Sequence, residues 1–285
     1  MTPESPCPVC ERRGAFREYV RGLERCAGCG FVAYRRASPD QIASLYDDAY
    51  FTGAEYPDYL GQADALRRSM RRHLRQMRRS IQPGGSLLEI GCAYGLFLDE
   101  ARGLFDRVVG VDICEAPVRH AREQFGLDAR LGDIRNLNLE AGSFDVVCMW
   151  DTLEHLPTPD AFLRRARELL RPGGTLFVTT GDLGSLNARI RGAGWRQIHP
   201  PTHLSYFSRG TICALLRRLG FEVTRVETAA YYHTAYNVLA ALRMRRGVLA
   251  GPASFALSVL GEGVTRNVGL WVNLGDIMFV AARRA

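Results

Sequence analysis

The stretch Leu87-Leu88-Glu89-Ile90-Gly91-Cys92-Ala93-Tyr94-Gly95 decides how this chain folds. An apolar run ends in Glu89 and meets a turn of small residues, Gly91, Ala93 and Gly95. Leu96, Phe97 and Leu98 then open a helix. Glycine in such a turn permits positive φ and close approach of the backbone to a ligand. In an open α/β sheet this strand-turn-helix crossover lies at the carboxyl edge, where ligands bind. Asp112 ends a second apolar run, Val108 to Asp112, seventeen residues after Gly95. An acid at the tip of the second strand suits ribose hydroxyls. The two signals together place a nucleoside-bearing cofactor across the sheet edge.

The dinucleotide fingerprint G-x-G-x-x-G fails here, because its three positions hold Gly91, Ala93 and Leu96. The observed order is acid-x-Gly-x-Ala-x-Gly. A carboxylate at the turn would repel a pyrophosphate, whereas it suits a cofactor that carries an ammonium and a sulfonium. This run resembles motif I of the class I S-adenosylmethionine-dependent methyltransferases, in which the middle Gly is more usual than Ala93. The resemblance implies that Glu89 and the turn Gly91, Ala93 and Gly95 hold the methionine end, and that Asp112 holds the ribose. It implies that Asp133, in Leu131-Gly132-Asp133, meets the adenine amine. Ile113, Ile134 and Trp150 complete the cofactor-binding set that it implies.

Apolar runs near 86–90, 107–111, 128–131, 145–149 and 175–180 alternate with helical runs, the rhythm of a parallel sheet. GFEVTRVET at 220–228 and LGDIMFVAAR at 274–283 supply two more strands. The expected fold is α/β: a Rossmann-like, seven-stranded class I methyltransferase sheet. It carries a small amino-terminal zinc ribbon or knuckle and a helical insertion before the last strand. The resemblance covers about 81–285 and implies that the last strand is antiparallel.

Cys7-Pro8-Val9-Cys10 and Cys26-Ala27-Gly28-Cys29 are two C-x-x-C knuckles with fifteen residues between them. Four thiolates at this spacing make a tetrahedral zinc site. A segment of about 35 residues cannot fold on its own core and needs such a staple. Paired disulfides are the alternative. They find no support in a chain without a signal peptide before the cysteines, and a redox C-x-x-C would leave one knuckle without a purpose. Cys7, Cys10, Cys26 and Cys29 are therefore read as ligands of a structural Zn²⁺, since four cysteines leave no open coordination position. Cys92, Cys114, Cys148 and Cys213 read as small buried hydrophobes. The chain reads as three parts: a zinc-binding module at 1–35, a helical and aromatic connector and lid at 36–80, and the methyltransferase core at 81–285.

At 285 residues the chain can bury one large core plus a small module, and no apolar run is long enough to span a membrane. A cytoplasmic enzyme is expected. The formal charge of +7 comes from 37 basic residues, all Arg. Four thiolates and a zinc would bring it to about +5. Arg67, Arg68, Arg71, Arg72, Arg75, Arg78 and Arg79 crowd one helix. Its apolar positions Met70, Leu74, Met77 and Ile81 fall on one face, which reads as a helix docked on the core with a solvated basic face. Phosphate contact to a nucleotide-linked substrate and nucleic-acid contact are its functional readings. Aromatic residues do not interleave with the arginines, which counts against a single-strand RNA platform. In the connector, Tyr46, Tyr50, Phe51 and Tyr59 are candidates for a wall over the cofactor or for packing between modules.

Methyl transfer from a sulfonium is an in-line displacement. The protein must align acceptor and methyl, exclude water and, for a protonated acceptor, take a proton. Six histidines are available. His73 and His120, in Arg-rich helices, read as surface residues. His155 lies in EHLPTP after the fourth strand. His199 and His203 lie in WRQIHPPTHLSYFS at 195–208, where Trp195, Tyr206 and Phe207 can wall a pocket. A zinc knuckle, a Tyr-rich connector, this core and an HLSYFS segment resemble the deoxysugar C-methyltransferases. In that family the His that matches His203 is thought to be the base. Two departures matter. Thr202 and Pro200 stand where the family has Glu and Tyr, and the family's further carboxy-terminal domain is not expected in this chain of 285 residues. The chain is more similar to shorter bacterial methyltransferases of saccharides and secondary metabolites. His203, His155 and Tyr206 are the catalytic candidates. The acceptor is expected to be a small molecule, sugar- or lipid-linked, methylated at O, N or C.

Residues 229–273 form an insertion where a short hairpin is normal. YNVLAALRMRR and GPASFALSVLGEGV read as two apolar helices with a basic junction. They could cap the acceptor site, form a dimer face or rest on a membrane, so peripheral membrane contact stays open. The alternative function is an rRNA or tRNA methyltransferase with an amino-terminal zinc module. A barely basic zinc module argues against it: Arg12, Arg13, Arg17, Arg21 and Arg25 face Glu4, Glu11, Glu18 and Glu24. A cofactor-binding protein without catalysis is the third class.

Overall fold

A computed structural model of the chain describes residues 5–38, 41, 59–244 and 250–285. Seven strands build the central sheet: β4 (Ser86–Ile90), β5 (Arg107–Asp112), β6 (Asp128–Leu131), β7 (Phe144–Trp150), β8 (Leu170–Gly181), β10 (Phe221–Thr228) and β13 (Ile277–Arg284). Their order is β10-β13-β8-β7-β4-β5-β6. β13 runs antiparallel to β8 and β10, and the β8-β7-β4-β5-β6 neighbours are parallel. This is the expected seven-stranded class I sheet. The central strands read as nearly continuous apolar runs because helices cover both faces. Leu87, Leu88, Val147, Cys148 and Met149 are fully buried.

The crossover helices are α1 (Ala63–Met77), α2 (Leu96–Ala101), α3 (Glu115–Phe125), α4 (Pro159–Leu169), α5 (Leu186–Arg191) and α6 (Arg209–Arg218). Local chemistry sets their ends. Pro159 starts α4, where a missing N–H costs nothing. Gly126, at φ +63, ends α3 in the left-handed conformation. Ser208 and Thr211 form a reciprocal cap on α6. α1 stops at Met77, so Ile81 is not part of its apolar face.

The buried stripe of α1 is also more polar than its hydropathy suggests. Ser69, His73 and Gln76 are buried beside Leu74 and Met77. The expectation that His73 lies at the surface is wrong. Its ring stacks on Trp150, with centroids 4.9 Å apart, so its aromatic face rather than its charge fixes its position. Burial pushes its pKa down to about 4.

The amino-terminal strands β1 (Phe16–Glu18), β2 (Glu24–Cys26) and β3 (Val32–Ala33) form a small sheet, and its fourth strand comes from far along the chain. β9 (Ser205–Tyr206), cut from the HLSYFS segment, pairs with β3. Phe31 meets Phe207 at 5.1 Å between ring centroids. Trp195 and Tyr206 pack with Leu23, Val32 and Ile198. Trp195, Tyr206 and Phe207 therefore do not wall an open pocket as their sequence position suggested. They are consumed in docking the cysteine-bearing segment onto the core.

The insertion holds a feature that its apolar composition concealed. β11 (Tyr231–Thr234) and β12 (Gly269–Val272) pair as a two-stranded ribbon under the helices α7 (Ala235–Met244) and α8 (Ala250–Asn267). The ribbon is tied to α1 by the Tyr232 N–H, which donates to Ser69 Oγ at 2.9 Å. Of the aromatic connector, Tyr46, Tyr50 and Phe51 lie outside the described residues. Tyr59 is buried and stacks on Tyr94 of the 91–95 turn, with centroids 5.3 Å apart.

Candidate functional site

The carboxyl edge of β4 and β5 gathers the first group of sequence-marked residues. Gly91 (φ +80), Ala93 (φ +44) and Gly95 (φ +78) all take the left-handed conformation within five residues. A Cβ at Gly91 would lie 2.5 Å from Thr152 Oγ1, and one at Gly95 would lie 2.7 Å from Leu127 Cδ1. Ala93 holds the same conformation against its Cβ, a cost that accumulates at functional turns. Asp112 buckles this turn to the next one. Its Oδ2 accepts the Ala93 N–H at 2.8 Å, and its Oδ1 accepts the Cys114 N–H at 3.0 Å. The tip of β5 then presents Ile113, 52% exposed, as an apolar surface beside that carboxylate.

Glu89 is the most informative residue of this edge. It is buried, and its Oε2 finds no hydrogen-bond partner among the described residues. Burial, and after it the charge of Asp112, push its pKa well above the ordinary carboxyl range. A buried acid with no partner is a standing cost unless a cation fills the place. The turn, Asp112 and Glu89 together suit a ligand with an ammonium at one end and hydroxyls beyond it.

The remaining donor-side residues are placed less openly. Ile134 is buried. Asp133 is engaged by Arg135, whose Nε lies 3.0 Å from both carboxylate oxygens. Burial opposes the effect, yet Arg135 holds the Asp133 pKa below its usual value. Trp150 lies between His73 and Phe279, with near-parallel rings on both sides. Its indole Nε1 is buried without a partner among the described residues. What it offers a ligand is therefore an N–H and an edge, not a stacking face.

A second group of polar side chains collects at the ends of β7 and β8. Asp151 takes φ +45, a left-handed position for a residue with a side chain. Its N–H donates to Thr179 Oγ1 at 2.9 Å, and its Oδ2 accepts the Tyr231 hydroxyl at 2.6 Å. Its other oxygen is buried without a partner among the described residues. Beside it, burial and then Asp151 push the Glu154 pKa up to about 8. Glu154 is thus mainly a neutral acid at neutral pH, able to donate a hydrogen bond.

His155 and His203 meet at 4.6 Å between ring centroids, nearly at right angles, and His199 lies 4.0 Å from His203. The Nδ1 of His155 lies 3.1 Å from the Thr202 carbonyl, and that of His203 lies 2.9 Å from the Gln197 carbonyl. A carbonyl only accepts, so each Nδ1 carries the proton and each Nε2 keeps its lone pair. Burial lowers the His155 pKa to about 4. Burial, then His155 and His199, hold His203 well below its ordinary value. Both rings are neutral at neutral pH and are oriented as proton acceptors. Glu154, His155 and His203 offer atoms that all lie within 4.8 Å of one another. Tyr206 donates its hydroxyl to the His203 carbonyl at 2.9 Å, so it braces the histidine segment rather than reaching into the cluster.

Sequence reading missed Asp151, Glu154, Tyr231 and the inward face of His73. The acids were visible in DTLEH after β7. Tyr231 was not, because it arrives from the insertion, whose strand character its apolar helices masked.

Cys7, Cys10, Cys26 and Cys29 form a separate cluster, all as free thiols. The Cys7–Cys29 and Cys10–Cys26 sulfur pairs are each 3.6 Å apart. With Zn–S bonds of about 2.3 Å, the edge of a tetrahedron is about 3.8 Å. Backbone N–H groups of Val9 and Cys10 point at the Cys7 sulfur, as knuckle geometry requires, yet burial raises its pKa to about 11. Burial raises Cys29 further still. Protons would hold the Cys7 and Cys29 sulfurs at neutral pH unless a cation displaced them. At Cys26 burial is outweighed by hydrogen bonds from the Gly28 and Cys29 backbone and from neighbouring thiols, which lower its pKa, and the donor set fits Zn²⁺.

The family described as "Methyltransferase domain" matches residues 62–226. A ubiquinone biosynthesis O-methyltransferase of Xanthomonas campestris is 36% identical over 104 residues, 34% of this chain and 44% of that protein. A protein of Mycolicibacterium smegmatis, named a probable S-adenosylmethionine-dependent methyltransferase, is 33% identical over 166 residues. That match covers 58% of this chain and 61% of the relative. The chain thus spans less than half of the first relative and under two thirds of the second. An S-adenosylmethionine-dependent methyltransferase structure from Mesorhizobium loti superposes with a TM-score of 0.50 at 19% identity. It covers 76% of this chain and 98% of its own, a likeness of fold.

Proposed function

The chain belongs to the methyltransferase-domain family, and on that premise we propose that it transfers a methyl group from S-adenosylmethionine to a small-molecule acceptor. The observation that carries this reading is Glu89, a buried carboxylate whose Oε2 has no partner among the described residues, at the mouth of the left-handed 91–95 turn. Glu89 would hold the ammonium of the methionine moiety, Asp112 would accept hydrogen bonds from the ribose hydroxyls, Ile113 would pack on the adenine, and Asp133 would meet its amine. When bound, the cofactor supplies an activated methyl on sulfur.

The acceptor lies over the ends of β7 and β8. Asp151, Glu154 and Tyr231 orient it through hydrogen bonds, and the wall around them excludes water. His203 takes the acceptor's proton at Nε2, with His155 beside it. Both rings are already neutral, so neither needs to lose a proton first. The named activity of the Xanthomonas relative, an O-methyltransferase, favours a hydroxyl acceptor. The HLSYFS and EHLP segments favour a saccharide, a nucleotide-linked sugar or a secondary metabolite. Cys7, Cys10, Cys26 and Cys29 would hold a structural zinc, which would fix the sheet on which β9, and with it the His203 segment, is anchored. Residues 1–35 act as this zinc module, 36–80 as connector and lid, and 229–273 as a cap on the core.

The test is turnover. The full chain, given S-adenosylmethionine and the low-mass fraction of an extract, should form S-adenosylhomocysteine. The nucleic-acid fraction should not support it. Turnover that depends on RNA would replace this reading with the RNA-methyltransferase alternative. No turnover with any fraction, despite cofactor binding, would leave a cofactor-binding protein.

A further inference from the structure

The insertion carries an apolar surface that the fold itself does not use. Phe255 is 70% exposed and Val259 64%, four residues apart on α8. Gly261, at φ +71, kinks the helix, and Val264 and Val268 then continue the exposed apolar series. Across 250–267 the only charged residues are Glu262 and Arg266. The outer face of a water-exposed helix is normally polar, and contiguous apolar patches mark interaction surfaces.

The chain leads from this helix directly to Trp271 on β12. Trp271 is partly exposed and lines a cavity of about 480 Å³ together with Arg68, Arg71 and Arg75 of α1. Arg72 lies over the Trp271 ring and Arg68 over the Tyr232 ring. The nearby acids do not neutralise this cluster. Asp99 and Glu100 are taken by Arg67 and Arg71. Arg68, Arg72 and Arg75 have no carboxylate within ion-pair distance among the described residues, and the exposed Asp64 is the one further acid on that helix. An apolar face beside an aromatic edge and unpaired guanidinium groups is complementary to the boundary of an anionic bilayer.

We propose that the α8 face and the Arg68–Arg75 side of α1 dock this protein on an anionic membrane surface. Phe255, Val259 and Val264 enter the acyl boundary, and Trp271 with Arg68, Arg72 and Arg75 meets the lipid phosphates. Docking is peripheral: no helix among the described residues is long and apolar enough to cross a membrane. Charge favours anionic lipid over a second copy of the chain, because exposed Asp64 is the one acid on the helix that carries Arg68, Arg72 and Arg75.

Vesicle flotation tests this with the full chain. The protein should float with vesicles of phosphatidylcholine containing phosphatidylglycerol, bind pure phosphatidylcholine much more weakly, and be released by high salt. Phe255→Asp with Val259→Asp should reduce partitioning at least about tenfold. Arg68→Gln with Arg75→Gln should reduce it about 25-fold, at about fivefold for each arginine lost near the surface. Unchanged circular dichroism would show that each variant keeps its fold, and the arginine pair, lying on the exposed side of α1, serves should the α8 pair unfold. No flotation of the wild type with anionic vesicles overturns the proposal. So does flotation that neither pair of substitutions weakens. A solution dimer that Phe255→Asp with Val259→Asp dissociates, without vesicle binding, assigns the face to a second copy instead.

Discussion

Glu89→Gln removes the charge of the buried carboxylate and keeps its shape. In the free protein, burial and then Asp112 hold the Glu89 pKa well above the ordinary carboxyl range. Burial thus favours the protonated form, for which Gln is a close stand-in. A group whose folded pKa is raised supports the fold below its unfolded pKa, about 4.3 for Glu, and that support is lost as pH rises through the folded value. Wild-type protein without cofactor should lose stability toward alkaline pH. Glu89→Gln should match it below about pH 4.3 and exceed it increasingly as pH rises from there through the folded value.

Cofactor binding reverses the balance. Pairing with the methionine ammonium requires the carboxylate, so binding should be accompanied by proton release from Glu89 and tighten as pH rises. Losing a charged hydrogen-bond partner costs about 1.5–3 kcal/mol, or about 10- to 150-fold in Kd. Calorimetry of S-adenosylmethionine binding in buffers of different ionisation enthalpy reads both quantities, and thermal unfolding against pH reads the first. An affinity within threefold of wild type, with the same proton release in both proteins, would refute the placing of the ammonium at Glu89.

Gly91→Ala should abolish cofactor binding in a folded protein, because its Cβ would meet Thr152 and the turn would be strained; equilibrium dialysis checks this. His203→Ala should lower turnover about 10²–10⁴-fold with cofactor affinity nearly unchanged, whereas His155→Ala should do less; single-turnover kinetics reads the difference. Because burial holds both imidazoles below their usual pKa, turnover should show no histidine limb near about pH 6.5 and should fall only at more acid pH. Their contribution to folding has the same sign: protonation is disfavoured in the fold, so stability is lost as pH drops below about 6.5. Cys26→Ser should release one zinc per chain and, through β3 and β9, also slow turnover, which metal analysis beside kinetics would record.

Much of the sheet was legible because its determinants are local. The apolar runs ending in Glu89, Asp112 and Trp150 are buried on both faces, and a strand of that kind shows its length directly. The turn at 91–95 was legible because left-handed positions demand small residues. What escaped depends on distant partners. HLSYFS reads as a pocket wall until β9 is seen paired with β3, and only then is it clear why Trp195 and Phe207 are aromatic. His73 looked solvated because its neighbours are arginines, yet its place is set by Trp150, far along the chain. Tyr231 reached Asp151 through a ribbon that two apolar helices concealed.

The central claim is methyl transfer to a small molecule, and a deuterated donor tests it most directly. The chain would be incubated with S-adenosylmethionine bearing a CD₃ group and a cell extract, and every mass fraction then examined by mass spectrometry. The account predicts one low-mass compound that exchanges a hydrogen for CD₃, absent with Gly91→Ala and reduced at least about a hundredfold with His203→Ala. Label found in RNA or protein, or in no compound at all while the cofactor is bound, would contradict it.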